Sequence, residues 1–284
     1  MGNNLTILKL VTPKAAKGNV YPANSAVLIT GASSGLGRGL ALAYAQRNCD
    51  LYSDKLTLVS RDKDQLEQVA ADCKAVGCQR VIVVSADVRS LSECSKCVQA
   101  AIAAYGQLDI LVLCAGLAAY HSFPQTPSLK VYHDLMNTNF FGYLNCTFCA
   151  FPYLKASKGQ VVVISGIAGE IGLPNQSALS ASKFAVTGFF EALRSELSSN
   201  QVAITIVCPP ATRTNLRKNA VLKTVLGGEV ESSLSVQNCV ANILAAADRR
   251  ARKIFFPFRV YFAAYLRPFF PDLIDRRLKR SARL

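Results

Sequence analysis

The chain reads as one α/β domain built on a parallel, doubly wound sheet of about seven strands. Three observations carry that reading. Short β-rich apolar runs alternate with helical patterns along almost the whole length. Those runs are apolar on both faces, as strands covered by helices on both sides are. The length of 284 residues, with 51% hydrophobic and 18% charged residues, suits one large core better than two small ones.

The elements come in order along the chain. AVLIT (26–30) leads into a glycine-rich loop and a helical pattern. KLTLVS (55–60) precedes a helix over 62–76, and RVIVVSA (80–86) precedes one over 90–105. DILVL (109–113), QVVVIS (160–165), AITIVC (203–208) and KIFFP (253–257) supply the remaining strands. Repeated β-α units of this length make the sheet parallel. No internal repeat, low-complexity linker or break in composition appears before residue 249. The domain therefore spans 24–257. An N-terminal extension (1–23) precedes it, and a basic aromatic tail (258–284) comes after it.

The loop after the first strand reads TGASSGLGRG and holds Gly31, Ser33, Ser34, Gly35, Leu36 and Gly37. Glycines between a strand and a helix let the backbone turn tightly and approach a pyrophosphate, which then sits at the helix N-terminus. A glycine-rich loop alone is weak evidence, but its place between a strand and a helix, with further matches at fitting positions, predicts a Rossmann-like dinucleotide site. The second strand ends in Arg61, where a site for NAD would often place an acid on the ribose hydroxyls. A guanidinium there suits a 2′-phosphate, hence NADP(H); the plainer reading is a surface arginine. The third strand ends in Asp87 and Val88, beside the expected adenine. The fourth ends in CAG (114–116), where Ala115 and Gly116 make a small turn beneath the nicotinamide ribose.

Together these residues resemble the short-chain dehydrogenase/reductase family from about residue 24 to 257. The motifs T-G-x-x-x-G-x-G, D-V, C-A-G, N-x-x-G (Asn139 to Gly142) and A-S-K (Ala181 to Lys183) fall in the family's order and intervals. Within the family, LVLCAG and CPPATRT (208–214) are similar to 3-ketodihydrosphingosine reductases, with hydroxysteroid-type reductases nearly as close.

The resemblance implies a four-residue mechanism: a tyrosine proton donor, a lysine one turn later, a serine about thirteen residues before the tyrosine, and an asparagine in a water relay. Here the lysine is Lys183 and the asparagine is Asn139. The tyrosine position holds Leu179 and the serine position Gly166. Ser165, one residue earlier, is expected to point to the other side of its strand. Leu113 stands where the family usually has an asparagine, while Thr212 and Thr214 remain available near a carboxamide. Leucine cannot donate a proton and glycine has no side chain. General acid catalysis contributes about 10²- to 10⁴-fold, and oxyanion stabilisation a further large factor. The catalytic set is thus expected to survive only as remnants, Asn139 and Lys183. Rescue remains open through Ser177, Ser180, a tyrosine from the substrate lid, or Lys183 acting as the acid itself.

The ten cysteines point to free thiols in a reducing compartment. Two pairs have CxxC spacing, Cys94/Cys97 and Cys146/Cys149. Zinc binding or redox use is the sharper reading of that spacing; both pairs are expected instead in helices as small buried hydrophobes, and no metal is expected. No run of about 20 apolar residues crosses a membrane, and the start lacks a secretory core. Gly2 and Thr6 fit a myristoylation pattern.

The net charge of +14 is lopsided: residues 249–284 hold eleven Lys/Arg against two Asp, a net +9. Eight of the 24 Phe and Tyr lie between Phe255 and Phe270. A short helix between Pro257 and Pro268, then a basic helix from Pro271, is expected. This composition suits an anionic membrane interface or a contact inside a protein complex. The third reading is a lid over the substrate mouth. Nucleic acid is not expected, since no groove-reading motif accompanies the charge. The expected protein binds NADP(H) and is a membrane-associated structural or regulatory component. It would act within the cell, at the cytosolic face of the endoplasmic reticulum or at the mitochondrion, possible as a homodimer or a complex subunit. The alternative is an active NADPH-dependent reductase of a lipid-like ketone.

Overall fold

A computed structural model describes residues 24–47, 55–197, 202–210, 212, 214, 216, 219–223, 234–256 and 264–282. The expected myristoylation site and extension (1–23) lie outside these residues, as does most of the short helix expected after Pro257.

Seven strands form one parallel sheet, as the apolar runs predict. They are β1 (Ala26–Thr30), β2 (Lys55–Ser60), β3 (Val81–Ser85), β4 (Ile110–Leu113), β6 (Gln160–Ile164), β7 (Ala203–Cys208) and β9 (Lys253–Phe255). The spatial order is β3-β2-β1-β4-β6-β7-β9. The order reverses at β1, so a crevice opens between the carboxyl ends of β1 and β4. Two short strands, β5 (Ala119–Tyr120) and β8 (Leu222–Lys223), pair separately beyond that crevice.

The helices are α1 (Gly35–Gln46), α2 (Lys63–Ala75), α3 (Leu91–Tyr105), α4 (Lys130–Leu135), α5 (Gly142–Ser157), α6 (Ser177–Glu196), α7 (Val236–Asp248) and α8 (Pro271–Ala282). Between α4 and α5 the chain widens into a π-helical stretch, Met136–Phe141. Helices α2 and α3 begin where side chains cap them: Asp62 accepts from the Gln65 amide and Ser90 from the Glu93 amide.

Two cores sandwich the sheet. Leu40, Tyr44, Leu56, Leu58, Ile110 and Ile243 fill one face. Leu111, Tyr143, Val163, Phe190 and Ile206 fill the other. The alternating assignment explains why each strand must be apolar on both sides. The last strand is clamped electrostatically. The Lys253 ammonium pairs with the Glu170 carboxylate at 2.8 Å and also with Glu191.

Candidate functional site

The dinucleotide cradle sits at the end of β1. Gly31 and Gly35 both adopt positive φ, at 67° and 54°. Gly37 is the close-packing position: a Cβ there would stand 2.1 Å from the Gly31 carbonyl oxygen, so only glycine lets α1 approach the loop. Ser34 is the N-cap of α1 but makes no side-chain cap hydrogen bond, and no acid occupies the helix's first turn. The first amides of α1 thus face no competing carboxylate there, which fits a phosphate. Ser33 and Leu36 flank the same turn. On the far side, Thr214 packs 3.2 Å from where a Cβ on Gly35 would stand, and Thr212 hydrogen-bonds Pro210 O at 3.1 Å. Through Thr214 the loop after β7 therefore approaches the glycine loop.

Thr30 stitches β1 to β4. Its hydroxyl donates to Val112 O and accepts from the amides of Cys114 and Ala115. Gly116 comes next, packed near Asn139 Oδ1. Arg61 is exposed at the end of β2 and is in no salt bridge among the described residues. Asp87 is more engaged than the sequence indicates. Arg89 holds it at 2.9–3.0 Å through Nε and keeps its carboxyl below the usual range, while the Asp87 amide donates to Glu93 Oε2.

At the chemical end, Asn139 lies in the π-helical stretch and Lys183 in α6. Asn139 is buried, receives the Leu117 amide on Oδ1 at 2.7 Å, and donates to Leu117 O and Ser182 Oγ. The π-helical stretch aims its amide this way. The Lys183 ammonium donates to Ile164 O at 2.8 Å and lies 5.0 Å from the Tyr143 ring centroid. Burial pulls its pKa down to about 8.

Leu179 lies in an apolar cluster with Ala118, Ala119, Val131, Leu135 and Ala168. Gly166 has φ 96°, ψ 166°, and among the described residues only Pro209 O, at 3.8 Å, is near a would-be Cβ. Ser165 does turn away, bonding Lys183 O and Thr187 Oγ1. Ser180 is also engaged, accepting from the Leu173 amide at 3.2 Å.

Three features escape sequence reading. Tyr143, from α5, seats the lysine and donates to Ile164 O at 3.1 Å. Tyr132, from α4, shares a 2.6 Å hydroxyl contact with Ser177. His121 is fully buried against Tyr132, with neither ring nitrogen hydrogen-bonded among the described residues. The two tyrosine contacts join elements far apart in the chain, and His121 lies in a loop with no periodicity. The CxxC cysteines lie in α3 and α5; Cys94, Cys97 and Cys146 are buried, and Cys149 is half-buried.

The tail helix α8 lies beside the α6 N-terminus. A cavity of about 340 Å³ separates them, lined by Leu173, Ser177, Ser180, Arg267, Leu278 and Lys279 among others. Arg267 also pairs with Asp275 at 2.9 Å. The tail also exposes Phe269, Phe270 and Leu273.

Comparison with known proteins agrees with this geometry. The short chain dehydrogenase family profile matches residues 25–224. A dehydrogenase/reductase SDR family protein 7-like from Dictyostelium discoideum is 34% identical over 261 residues, covering 89% of this chain and 80% of that protein. An 11-beta-hydroxysteroid dehydrogenase-like 2 from Arabidopsis thaliana is 34% identical over 249 residues, covering 88% and 79%. Two solved structures share the fold. A short chain dehydrogenase/reductase from Burkholderia phymatum in complex with NAD has TM-score 0.78 at 22% identity, covering 88% of this chain and 95% of that one. A short chain dehydrogenase from Burkholderia cenocepacia in complex with NADP has TM-score 0.75 at 24% identity, covering 90% and 98%. With a third of its residues shared along most of such relatives, and with the glycine cradle, Asn139 and Lys183 in place, the chain belongs to the short-chain dehydrogenase/reductase family.

Proposed function

We propose that this chain binds NADP(H) and does not run the family's proton relay. It would work instead as a membrane-associated structural or regulatory component, and as a subunit of a larger membrane complex. One observation carries the reading. The cradle is intact, while the donor position is a leucine packed into an apolar cluster and the serine position is a glycine at positive φ.

A nicotinamide dinucleotide, when bound, supplies or accepts hydride. Gly31 to Gly37 would hold its pyrophosphate and Arg61 its 2′-phosphate, with Asp87 and Val88 beside the adenine. Ala115, Gly116, Lys183, Thr212 and Thr214 would face the nicotinamide half. Binding alone stabilises the fold by linkage, by about 2.7 kcal/mol at a hundredfold excess over Kd. The tail supports the membrane reading through its solvent-facing Phe269, Phe270 and Leu273 and exposed cations at Arg276 and Arg277. Exposed Phe141 and Phe148, one heptad apart, and Phe184 support a face for self-association or a partner subunit. No described helix is long and apolar enough to cross a membrane.

The second reading is an active NADPH-dependent reductase of a lipid-like ketone, of 3-ketodihydrosphingosine or steroid type. The Tyr132–Ser177 hydroxyl pair, with Ser177 two residues from Leu179 in the chain, favours it as a replacement donor. The hydroxysteroid dehydrogenase-like relatives supply the steroid class.

The experiment is calorimetric titration with NADPH alongside a turnover assay on long-chain 3-keto bases and steroid ketones. Binding with background turnover is expected. Turnover above about 1 s⁻¹, the range of ordinary enzymes, overturns the first reading. Tyr132→Phe then asks whether the second reading names the right donor.

A further inference from the structure

The two CxxC motifs, 52 residues apart, do not sit in separate places. Helices α3 and α5 pack side by side and bring Cys94 Sγ within 3.5 Å of Cys146 Sγ. Both thiols are buried in the same core. Cys97 lies nearly a turn further along α3, and Cys149 nearly a turn further along α5, where it is half-buried and directed at Leu91 O. Leu91, at the start of α3, is 48% exposed, so this Cys149 contact lies near the surface, while Cys94 and Cys146 lie beneath it in the core. The thiols form no metal-holding group of three or more among the described residues.

Cys94 also touches the cofactor side of the protein. Its thiol donates to Val88 O at 3.3 Å. The same carbonyl accepts from Asn145 Nδ2 at 3.0 Å, and the Val88 side chain packs against Gly142. The neighbouring Glu93 holds the Asp87 amide at 2.7 Å. One short segment, Asp87 to Arg89, is thus tied to the first turn of α3 and to α5 through groups that flank the cysteine pair.

We propose that Cys94 and Cys146 are an oxidation site, closed to a disulfide by a hydroperoxide, and that closure loosens the Asp87–Arg89 wall of the dinucleotide site. The consequence for the cofactor rests on the NADP(H)-binding reading above.

The chemistry balances in two steps. The Cys94 thiolate attacks one oxygen of the hydroperoxide and breaks the O–O bond, giving a sulfenic acid and releasing water or an alcohol after protonation. The Cys146 sulfur then attacks the sulfenic sulfur, forming the S–S bond and expelling water as its own proton leaves. Two thiols are oxidised and one peroxide bond is reduced. Cys94 is suited to attack first. It lies within about a turn of the α3 N-cap, and the hydrogen bond from Cys146 pulls its pKa below the ordinary thiol value. The sulfurs need to approach by about 1.5 Å from 3.5 Å to reach disulfide length, a motion of side chains and of one helix turn. A disulfide sulfur has no proton to donate. Val88 O therefore loses one of its two side-chain donors, and the shift of the first turn pulls Glu93 from the Asp87 amide.

The test treats the reduced full chain with a small excess of hydrogen peroxide. Peptide mapping without reductant then locates any link, and amide hydrogen exchange tracks residues 87–89. A Cys94–Cys146 link with the loss of two hydrogens is expected in the wild type and in Cys149→Ser, but not in Cys94→Ser or Cys146→Ala. Exchange at 87–89 should quicken, NADPH should bind about tenfold more weakly, equivalent to about 1.4 kcal/mol, and dithiothreitol should restore both. If both thiols stay reduced while the half-buried Cys149 oxidises, the site is wrong. A link that leaves exchange at 87–89 unchanged overturns the coupling. If the reduced chain binds no NADPH at all, the cofactor reading fails, yet the link and the exchange still decide this proposal.

Discussion

The ammonium of Lys183 lies 2.8 Å from the carbonyl oxygen of Ile164, and among the described residues no carboxylate is paired with it. It is held by a backbone dipole and the Tyr143 ring in a buried place, and burial lowers its pKa from 10.5 to about 8.

That shift has a thermodynamic sign. Between pH 8 and 10.5 the unfolded chain still carries the proton that folded Lys183 has released, so stability rises with pH across that window. Below pH 8 the cost of the buried charge is present in full, about 3 kcal/mol by the size of the shift. Lys183→Met should therefore make the cofactor-free protein about 1–3 kcal/mol more stable at pH 7. Chemical denaturation at several pH values measures it. The difference between the two stability curves should shrink from pH 8 to 10, and a constant difference contradicts the assigned shift.

Arg61 should set the choice of dinucleotide. The wild type is expected to prefer NADPH over NADH. Arg61→Ala should shrink the ratio of their dissociation constants by about ten- to a hundredfold, the worth of a hydrogen bond to a charged phosphate. Isothermal titration of both dinucleotides with both proteins decides it. A ratio that Arg61→Ala leaves unchanged means the guanidinium never meets the phosphate.

Gly166→Ser should destabilise the protein by about 1–2 kcal/mol, read from the urea midpoint. Among the described residues space is not the reason, since the nearest atom to a new Cβ is 3.8 Å away. The backbone is: φ 96° is a region that side chains with a Cβ rarely adopt. Leu179→Tyr combined with Gly166→Ser should accordingly be less stable than Leu179→Tyr alone. Equal midpoints refute the backbone argument.

Much of this is legible in the sequence alone. The seven strands read directly, because each must be apolar on both faces, and the helical spans 62–76 and 90–105 read from their patterns, while the caps at Asp62 and Ser90 emerge only in the structure. The glycine loop reads from its place between a strand and a helix, while Asn139 and Lys183 read only through the family resemblance that N-x-x-G and A-S-K carry. The backbone of Gly166 does not, because a glycine's φ is set by the loop it joins and not by its own side chain. The meeting of Cys94 with Cys146 does not either, since it depends on which helices become neighbours. The apolar runs at 80–86 and 253–257 overshoot their strands by one or two residues, because edge pairing stops at Val81–Ser85 and Lys253–Phe255.

The tail should bring the chain to anionic lipid. Truncation after Pro257 keeps β9 and removes the aromatic, basic segment. Co-sedimentation with phosphatidylserine vesicles should fall by at least about tenfold, since each lost cation near the surface contributes about 1 kcal/mol. Circular dichroism checks that the shorter form is folded. If it sediments as the full chain does, the segment serves only as a cover for the 340 Å³ cavity beside α6.

The π-helical stretch Met136–Phe141 holds one residue more than an ordinary helix would over the same rise. Its widened turn is what directs the Asn139 amide at Leu117 and Ser182. Deleting a single residue, Asn137 for instance, would let the segment relax to a regular helix at little cost in length. The helix before the deletion would then swing by about 100° relative to the helix after it. The chain would still be helical from Lys130 to Ser157, but α4, with Tyr132, would be turned off the α6 face it now meets. The insertion therefore acts as a phase setter, joining two helices that share an axis but not a common face.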